Sequence, residues 1–461
     1  MKLIMLSGGS GKRLWPLSNE VRSKQFLRIL PAPDGDKESM LERIWRQLRQ
    51  AGLSSDVHIA TGKAQVDMVQ SQLGSSVPLI IEPERKDTFP AIALAAVYLY
   101  SMRGVGLDEV ITVFPGDPYV EDAFFREFKK LGQVLAESGA DLALIGVQPT
   151  YPSEKYGYIV PDMSHARHNM AASSIKVKRF TEKPCKAEAS ELLKQSALWN
   201  CGVFAFRLGY LIQLLIDARL PIQYEEMLKQ YGAMEAISFD YKVVEQAQKV
   251  VVCPYDGCWK DLGTWNTLTE EMSDSTLGAV RMTEDSRNTH VINELGIPVV
   301  VLGISDAVIA ASPDGILVSE KGASPRLKDM LSPDKQRPMY EERRWGYYHV
   351  LDSAVYPDGK KVMTKRVHLR TGQNFSYHYH NFRSEVWTVL SGEGHLIQDG
   401  HFRKVEAGDV VYIPAGSRHS LFALQTMEIV EVMRGTRLDE EDSVRLDLLW
   451  ETIRQLSISG S

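Results

Sequence analysis

Apolar positions in the first 150 residues follow two alternating rhythms. Predominantly apolar runs occur at 2–7, 57–61, 78–82, 110–115 and 142–147, the length expected of strands buried on both faces. Between them, helical patterns fit 38–51, 63–73, 88–102 and 122–137. In the first of these, Met40, Leu41, Ile44 and Leu48 share a face, while Glu42, Arg43, Arg46 and Arg49 lie away from it. Such alternation predicts an α/β domain, its mostly parallel sheet covered by helices on both sides.

The pattern then loosens. Helices are predicted at 186–194 and 208–218 within an otherwise irregular stretch, and the first domain is drawn over 1–270. Over 277–322 the short runs Val299-Val300-Val301-Leu302 and Ala307-Val308-Ile309-Ala310 alternate with turns at Gly303, Asp306 and Asp314-Gly315. That rhythm predicts a short β-helix-like module. Residues 323–345 are polar and carry Pro325, Pro333 and Pro338, and read as a linker containing a helix. From 346 to 436, β-branched and aromatic strands recur between turns such as Pro357-Asp358-Gly359 and Gly392-Glu393-Gly394, the signature of an all-β barrel. An acidic helical tail is predicted to close the chain, over 437–461.

Composition narrows the picture. A chain of 461 residues with 24% charged residues is long enough for two or three cored domains. A formal charge of −6 argues against broad nucleic-acid binding. Four cysteines, Cys185, Cys201, Cys253 and Cys258, are too few for a disulfide framework and read as reduced thiols. With no leader-like segment and no apolar run approaching roughly 18 residues, a cytoplasmic protein without membrane partners is expected.

Candidate chemistry begins directly after the first strand. In Leu6-Ser7-Gly8-Gly9-Ser10-Gly11-Lys12-Arg13-Leu14-Trp15-Pro16-Leu17-Ser18, three glycines let the backbone approach a ligand closely. Their amides can face an anion, with Lys12 and Arg13 behind them. The P-loop pattern fails, because Arg13 follows Lys12 where Ser or Thr is required and Leu6 stands five before Gly11. The dinucleotide fingerprint also fails, because Leu14 occupies its last glycine position.

With Lys24-Gln25-Phe26-Leu27 beyond it, this segment resembles the signature of mannose-1-phosphate guanylyltransferases. Lys12 stands where that family has a small residue, and Ser23 where it has proline. Phe114-Pro115-Gly116-Asp117 puts a carboxylate at a strand end, and Trp259-Lys260-Asp261-Leu262-Gly263 offers a second one. The resemblance implies that Asp117 and Asp261 hold Mg²⁺, with Pro118 replacing a common histidine. Glu82-Pro83-Glu84-Arg85-Lys86-Asp87-Thr88 resembles the loop near the nucleotide base, with Asp87 in place of asparagine. Tyr156-Gly157-Tyr158, Phe180-Thr181-Glu182-Lys183-Pro184 and Trp199-Asn200-Cys201 resemble the sugar side, implying contacts from Gly157, Glu182, Lys183 and Asn200. Ser238-Phe239-Asp240-Tyr241-Lys242 resembles a later core motif of the family.

The implied activity is transfer of GMP from GTP to mannose 1-phosphate, giving GDP-mannose for polysaccharide synthesis. Arg13, Lys24, Asp117 and Asp261 are the catalytic candidates. Leu6, Gly8, Gly9, Gly11, Lys12, Arg13, Lys24, Pro83, Thr88 and Asp117 are the nucleotide-binding ones. The implied fold is a Rossmann-like nucleotidyltransferase domain, a short β-helix module and a C-terminal cupin barrel, in a homo-oligomer with a dimer favoured.

Within the barrel, Gly372-x5-His378-x-His380-x4-Glu385-x6-Gly392 matches the first cupin motif, and Gly408-x5-Pro414-x-Gly416-x2-His419 the second, with Ala423 replacing its final asparagine. Histidines two apart on a strand share a face. With Glu385 and His419 on neighbouring strands, a His₃Glu set suits Zn, Mn, Co or Fe. The segments around Arg343-Arg344-Trp345 and Arg383-Ser384-Glu385 resemble the type II mannose-6-phosphate isomerase domain, although His378 stands for its glutamine and Phe382 for a histidine. Both an active isomerase and a degenerate barrel remain open on these residues, as does transfer to another hexose 1-phosphate. A non-catalytic sugar-nucleotide sensor is the alternative of a different class.

Overall fold

The computed structural model describes residues 1–9, 11–163, 174–331 and 337–458. They form two compact units, one of Met1–Ser275 with Ser319–Asp329, the other of Thr276–Val318 with Met330–Ser461.

In the first unit a nine-stranded sheet runs in the order Leu79–Glu82, Val57–Gly62, Lys2–Leu6, Val110–Pro115, Leu198–Arg207, Leu142–Val147, Val250–Tyr255, Ile175–Thr181, Tyr158–Pro161. All strands but Leu198–Arg207 and Ile175–Thr181 point the same way. The apolar runs lie where the pattern placed them. The helix predicted over 38–51 spans Met40–Gln50, because Lys37–Glu38 pairs as a short strand with Leu30–Pro31. Ser39 then caps it: its Oγ accepts from the Glu42 amide at 3.1 Å, and the Glu42 carboxylate accepts from the Ser39 amide at 2.8 Å. Thr88–Val97 is α-helical and passes into a π-helical turn, Tyr98–Met102. Its positions from Phe89 to Val97 are all buried, so it is a central core helix rather than an amphipathic one.

The register matters for function. Leu6 and Pro115 are paired at the carboxyl ends of adjacent parallel strands, and the Gly116 amide donates to the Leu6 carbonyl at 2.8 Å. The glycine loop and the Asp117 loop therefore leave the sheet side by side, on the edge where open α/β sheets bind ligands.

In the second unit Thr276–Leu277, His290–Asn293 and Ala307–Ser312 stack as parallel strands, as do Val280–Met282 and Val299–Val301. Short parallel strands in successive coils are the expected β-helix. The barrel has a six-stranded sheet, from Tyr340–Arg343 to Val410–Ile413, and a five-stranded one, from His401–Glu406 to Ser443–Asp447. Two expectations are corrected here. The linker over 323–345 contributes a barrel strand, Tyr340–Arg343, as well as the helix Leu327–Met330. The tail over 437–461 is not wholly helical: Ser443–Asp447 pairs with Tyr377–His380, and only Trp450–Ile458 is α-helix. Asp442 explains the difference, since its buried carboxylate accepts from the Asn381 amide at 2.9 Å and the Phe382 amide at 3.2 Å. That anchor lays the following residues against the sheet. Among the described residues no helix is long and apolar enough to cross a membrane.

Candidate active site

A cleft of about 450 Å³ opens at the sheet edge. The glycine loop forms one wall. Gly11 has φ 61°, and a Cβ there would collide with the Asn19 carbonyl, so the turn requires glycine. Gln65 fixes the loop from behind, reaching the Gly9 carbonyl at 3.4 Å and the Ser23 Oγ at 3.0 Å. Ser23 thus has a hydrogen-bonding role of its own where the family motif has proline. Gly8, Gly9, Gly11, Arg13 and Lys24 all line the cleft; the Lys12 side chain lies outside the described residues.

Asp117 and Asp261 meet through a small antiparallel ribbon, Pro118–Val120 against Trp259–Asp261, in which Pro118 is the register partner of Asp261. Both carboxylates reach one ammonium. Lys24 Nζ is 2.9 Å from Asp117 Oδ2 and 2.6 Å from Asp261 Oδ1. Burial alone would depress the lysine pKa, but the two aspartates overcome it and hold the pKa above its ordinary value. Burial likewise opposes ionisation of Asp261, and Lys24 outweighs it, keeping this carboxyl below its usual range. Two oxygen donors converging on one cation suit Mg²⁺, a hard ion held by one or two carboxylates plus phosphate oxygens.

The other predicted cluster lines the same cleft. Gly157, Glu182, Lys183 and Asn200 are all present in its wall. Glu182 pairs with Lys183 at 2.7 Å, while its Oε2 is buried without a hydrogen-bond partner. Asn200 Nδ2 donates to Asp240 Oδ1 at 2.7 Å, and its Oδ1 accepts from the Gly202 amide at 3.0 Å. Burial, reinforced by Glu182, pushes the Asp240 carboxyl up to about 7. An unsatisfied carboxylate oxygen beside an oriented amide is the hydrogen-bonding pattern a polyol requires.

Three candidates stand apart from the cleft. Leu6 contributes its carbonyl to Gly116 rather than a side chain to the site. Thr88 uses its hydroxyl to accept from the Phe239 amide at 2.8 Å, and Pro83 does not line the cleft either. Conversely Gln25, Lys155, Tyr156, Asp240 and Trp259 line it without having been assigned a role. Tyr156 and Asp240 lay inside recognised segments; Lys155 carried no signal beyond adjacency to Tyr156.

In the barrel, ligand nitrogens of His378, His380 and His419 lie within 4.8 Å of one another. His378 Nδ1 sits 2.6 Å from the Ser376 carbonyl and His419 Nδ1 3.0 Å from the Ser417 carbonyl. Those contacts put the protons on Nδ1 and leave Nε2 as an inward lone pair. His419 Nε2 is buried with no hydrogen-bond partner. Glu385 Oε1 lies 3.1 Å from His380 Nε2, and Oε2 lies 3.6 Å from His419 Nε2. The three histidines fit a borderline transition metal, while Arg383 engages Glu385 Oε1 at 3.0 Å and lies 3.2 Å from His380 Nε2. One expectation changes: Glu385 and His419 are not on neighbouring strands. Their strands belong to the two facing sheets, so the site bridges the barrel interior.

Comparison with known proteins agrees with this partition. The family model described as nucleotidyl transferase matches residues 2–277, and that of the mannose-6-phosphate isomerase C-terminal domain matches 334–448. The xanthan biosynthesis protein XanB of Xanthomonas campestris pv. campestris (strain B100) is 30% identical, the alignment covering 96% of this chain and 97% of that protein. A mannose-1-phosphate guanylyltransferase of Escherichia coli (strain K12) is 29% identical over the same share of each. A crystal structure described as mannose-1-phosphate geranyltransferase, from Thermus thermophilus, superposes with a TM-score of 0.57 at 28% identity, covering 71% of this chain and 97% of that one. The chain belongs to the nucleotidyl transferase family and carries a C-terminal domain of the mannose-6-phosphate isomerase type.

Proposed function

We propose that this nucleotidyltransferase moves GMP from GTP to mannose 1-phosphate, releasing pyrophosphate and forming GDP-mannose. The observation that carries the reading is the meeting of Asp117, Asp261 and Lys24 beside the glycine loop, in one cleft with Glu182, Lys183 and Asn200. Relatives named as mannose-1-phosphate guanylyltransferases support the choice of both substrates.

A phosphate oxygen of the sugar phosphate attacks the α-phosphorus of GTP in line. The new P–O bond forms as the bond to the β-phosphate oxygen breaks, and pyrophosphate leaves. The amides of Gly8, Gly9 and Gly11 and the Arg13 guanidinium hold the triphosphate, and Lys24 balances charge on the leaving group. Lys183 holds the sugar phosphate, while Glu182 and Asn200 take its hydroxyls. No covalent nucleophile is required, because the substrate supplies an anionic one; catalysis is positioning and electrostatics. Asp117 and Asp261 would hold Mg²⁺, which when bound screens the phosphate charges.

Pyrophosphate release measured across GTP, ATP, UTP, CTP and dTTP with several hexose phosphates tests this reading. GTP with mannose 1-phosphate should be the best pair; a clear preference for another pair would replace it. Arg13→Ala should lower turnover by orders of magnitude in a folded protein.

A second activity in the barrel is favoured by the inward-facing histidine nitrogens and the match to the isomerase domain model. It would interconvert mannose 6-phosphate and fructose 6-phosphate on a metal held by His378, His380, Glu385 and His419. Absence of conversion with added Mn²⁺, Co²⁺ and Zn²⁺ would exclude it.

A further inference from the structure

We propose that Lys24 is the resident counter-ion of the Asp117–Asp261 pair, and that it keeps the divalent-metal position closed until a nucleoside triphosphate draws it away. The inference rests on the reading of this cleft as a metal-assisted nucleotidyl-transfer site, and adds to it the order in which the cations change places.

Three structural facts carry the argument. The backbone positions that carry the two carboxylates are held close by the Pro118–Val120/Trp259–Asp261 ribbon, in which Pro118, next to Asp117, pairs with Asp261. Their common neighbour is the Lys24 ammonium, 2.9 Å from one and 2.6 Å from the other. The backbone that carries Lys24 is anchored: Gln25 and Phe26 are buried, and Ser23 is held by Gln65 at 3.0 Å. What remains adjustable is the four-carbon side chain and its point charge.

A magnesium ion binds carboxylate oxygens at roughly 2.0–2.1 Å. The ammonium already stands between those oxygens, and a second cation there would face it at close range in a sheltered cleft. Metal alone therefore has little to gain by entering. A triphosphate changes the balance, because its β- and γ-oxygens offer the ammonium a new anionic partner on the glycine-loop side. Once Lys24 swings to the phosphates, two carboxylates and a phosphate oxygen are left facing a vacated position. Metal and nucleotide then enter as a pair, and Lys24 is already on the leaving group it must neutralise.

The test is Mn²⁺ binding to the full-length protein, followed by electron paramagnetic resonance, with and without GTP and in the absence of any sugar phosphate. Only the portion abolished by Asp261→Asn is counted, which subtracts the histidine set in the barrel and metal bound to free GTP. Wild-type protein should show this portion with GTP and lack it without. Lys24→Met and Lys24→Gln, which leave the carboxylates unblocked, should bind Mn²⁺ without nucleotide about tenfold or more tightly than wild type. Equal Asp261-dependent binding by wild type with and without GTP would overturn the proposal, as would folded Lys24 variants no tighter than wild type. If neither variant folds, equal binding by wild type with and without GTP still overturns the proposal. Failure of the underlying reading looks different: no Asp261-dependent Mn²⁺ would bind to wild type even with GTP.

Discussion

Replacing Gly157 by alanine should impair use of the sugar phosphate while leaving the fold in place. The residue does not have a positive φ, so the backbone tolerates a side chain. The obstacle is space. A Cβ at this position would overlap the Glu182 carboxylate, stand 2.9 Å from Phe180 Cζ and 3.3 Å from Asn200 Cβ. Carbon atoms pack at roughly 3.5–4.0 Å, so Phe180 and Glu182 must retreat by something approaching 1 Å. Glu182 cannot do so alone: its carboxylate is paired with Lys183 at 2.7 Å, and its amide donates to Glu245 Oε1 at 3.0 Å.

Overpacking of this kind costs about 1–3 kcal/mol, which a domain of this size survives. Displacing a positioning group by about 1 Å costs on the order of 10²-fold in rate. The expected result is therefore a kcat/KM for the sugar phosphate lower by about 10²-fold, with KM for the triphosphate changed by less than about threefold. Gly62→Ala is the control, since a Cβ there meets nothing within 4 Å. Steady-state kinetics with each substrate varied in turn, alongside thermal melts, make the measurement. A folded Gly157→Ala protein with wild-type kinetics for the sugar phosphate would refute the assignment of Gly157 and Glu182 to the sugar.

Asp240 should make stability fall as pH rises. Its carboxyl, raised from 3.8 to about 7 by burial and by Glu182, keeps its proton in the folded protein across a range where the unfolded chain has released it. Stability from this group is thus lost between 3.8 and about 7, and Asp240→Asn should flatten that decline by on the order of 4 kcal/mol in urea-derived stabilities compared across the range. Asp442→Ala should leave the Asn381 and Phe382 amides without their acceptor and destabilise the barrel by about 1–3 kcal/mol. Hydrogen exchange should then quicken in Ser443–Asp447; unchanged protection there would dissociate the strand from its anchor. Zn²⁺ or Mn²⁺ at about 100 times its dissociation constant should stabilise the barrel by about 2.7 kcal/mol. The rise should vanish in His378→Ala/His419→Ala, and persistence of the shift would move the metal elsewhere.

Much of the first domain was legible because its strands are buried on both faces and read as predominantly apolar runs. The helix starting at Met40 was equally plain, with its face of Met40, Leu41, Ile44 and Leu48 now buried. The tail was misread because acidic residues at 439–442 look like the first turn of a helix, whereas the buried Asp442 carboxylate caps a turn 60 residues earlier in sequence. The facing-sheet position of Glu385 and His419 was hidden for a related reason. Motif spacing fixes which residues point inward along a strand, but sheet membership depends on long-range pairing such as Glu385 with Met433. Lys155 could not be found at all, since an exposed lysine in a loop carries no periodicity and no turn signal.

The charges lining the cleft also give a reason why the proposed chemistry would call for a cation from outside the protein. Arg13, Lys24, Lys155 and Lys183 exceed the carboxylates Asp117, Asp261 and Glu182 by one when Asp240 holds its proton. Two of the cations are already committed, Lys24 to the metal-type aspartates and Lys183 to Glu182. A cleft so nearly neutral attracts a triphosphate and a sugar phosphate only weakly, and does little to offset the repulsion between them. Arranging the protein's own charges as internal pairs instead makes them exchangeable: each substrate anion can take the place of a lysine's carboxylate partner, and the freed carboxylates face a cation or a hydroxyl. On the phosphate side, under the proposed function, that exchange would admit a divalent ion together with GTP. On the sugar side the free Oε2 of Glu182 and the Asn200 amide are left to distinguish hydroxyls. Under the proposed function, substrate selection at one end and metal loading at the other would depend on the same kind of exchange, and charge-reversing either lysine should cost binding of its own ligand first.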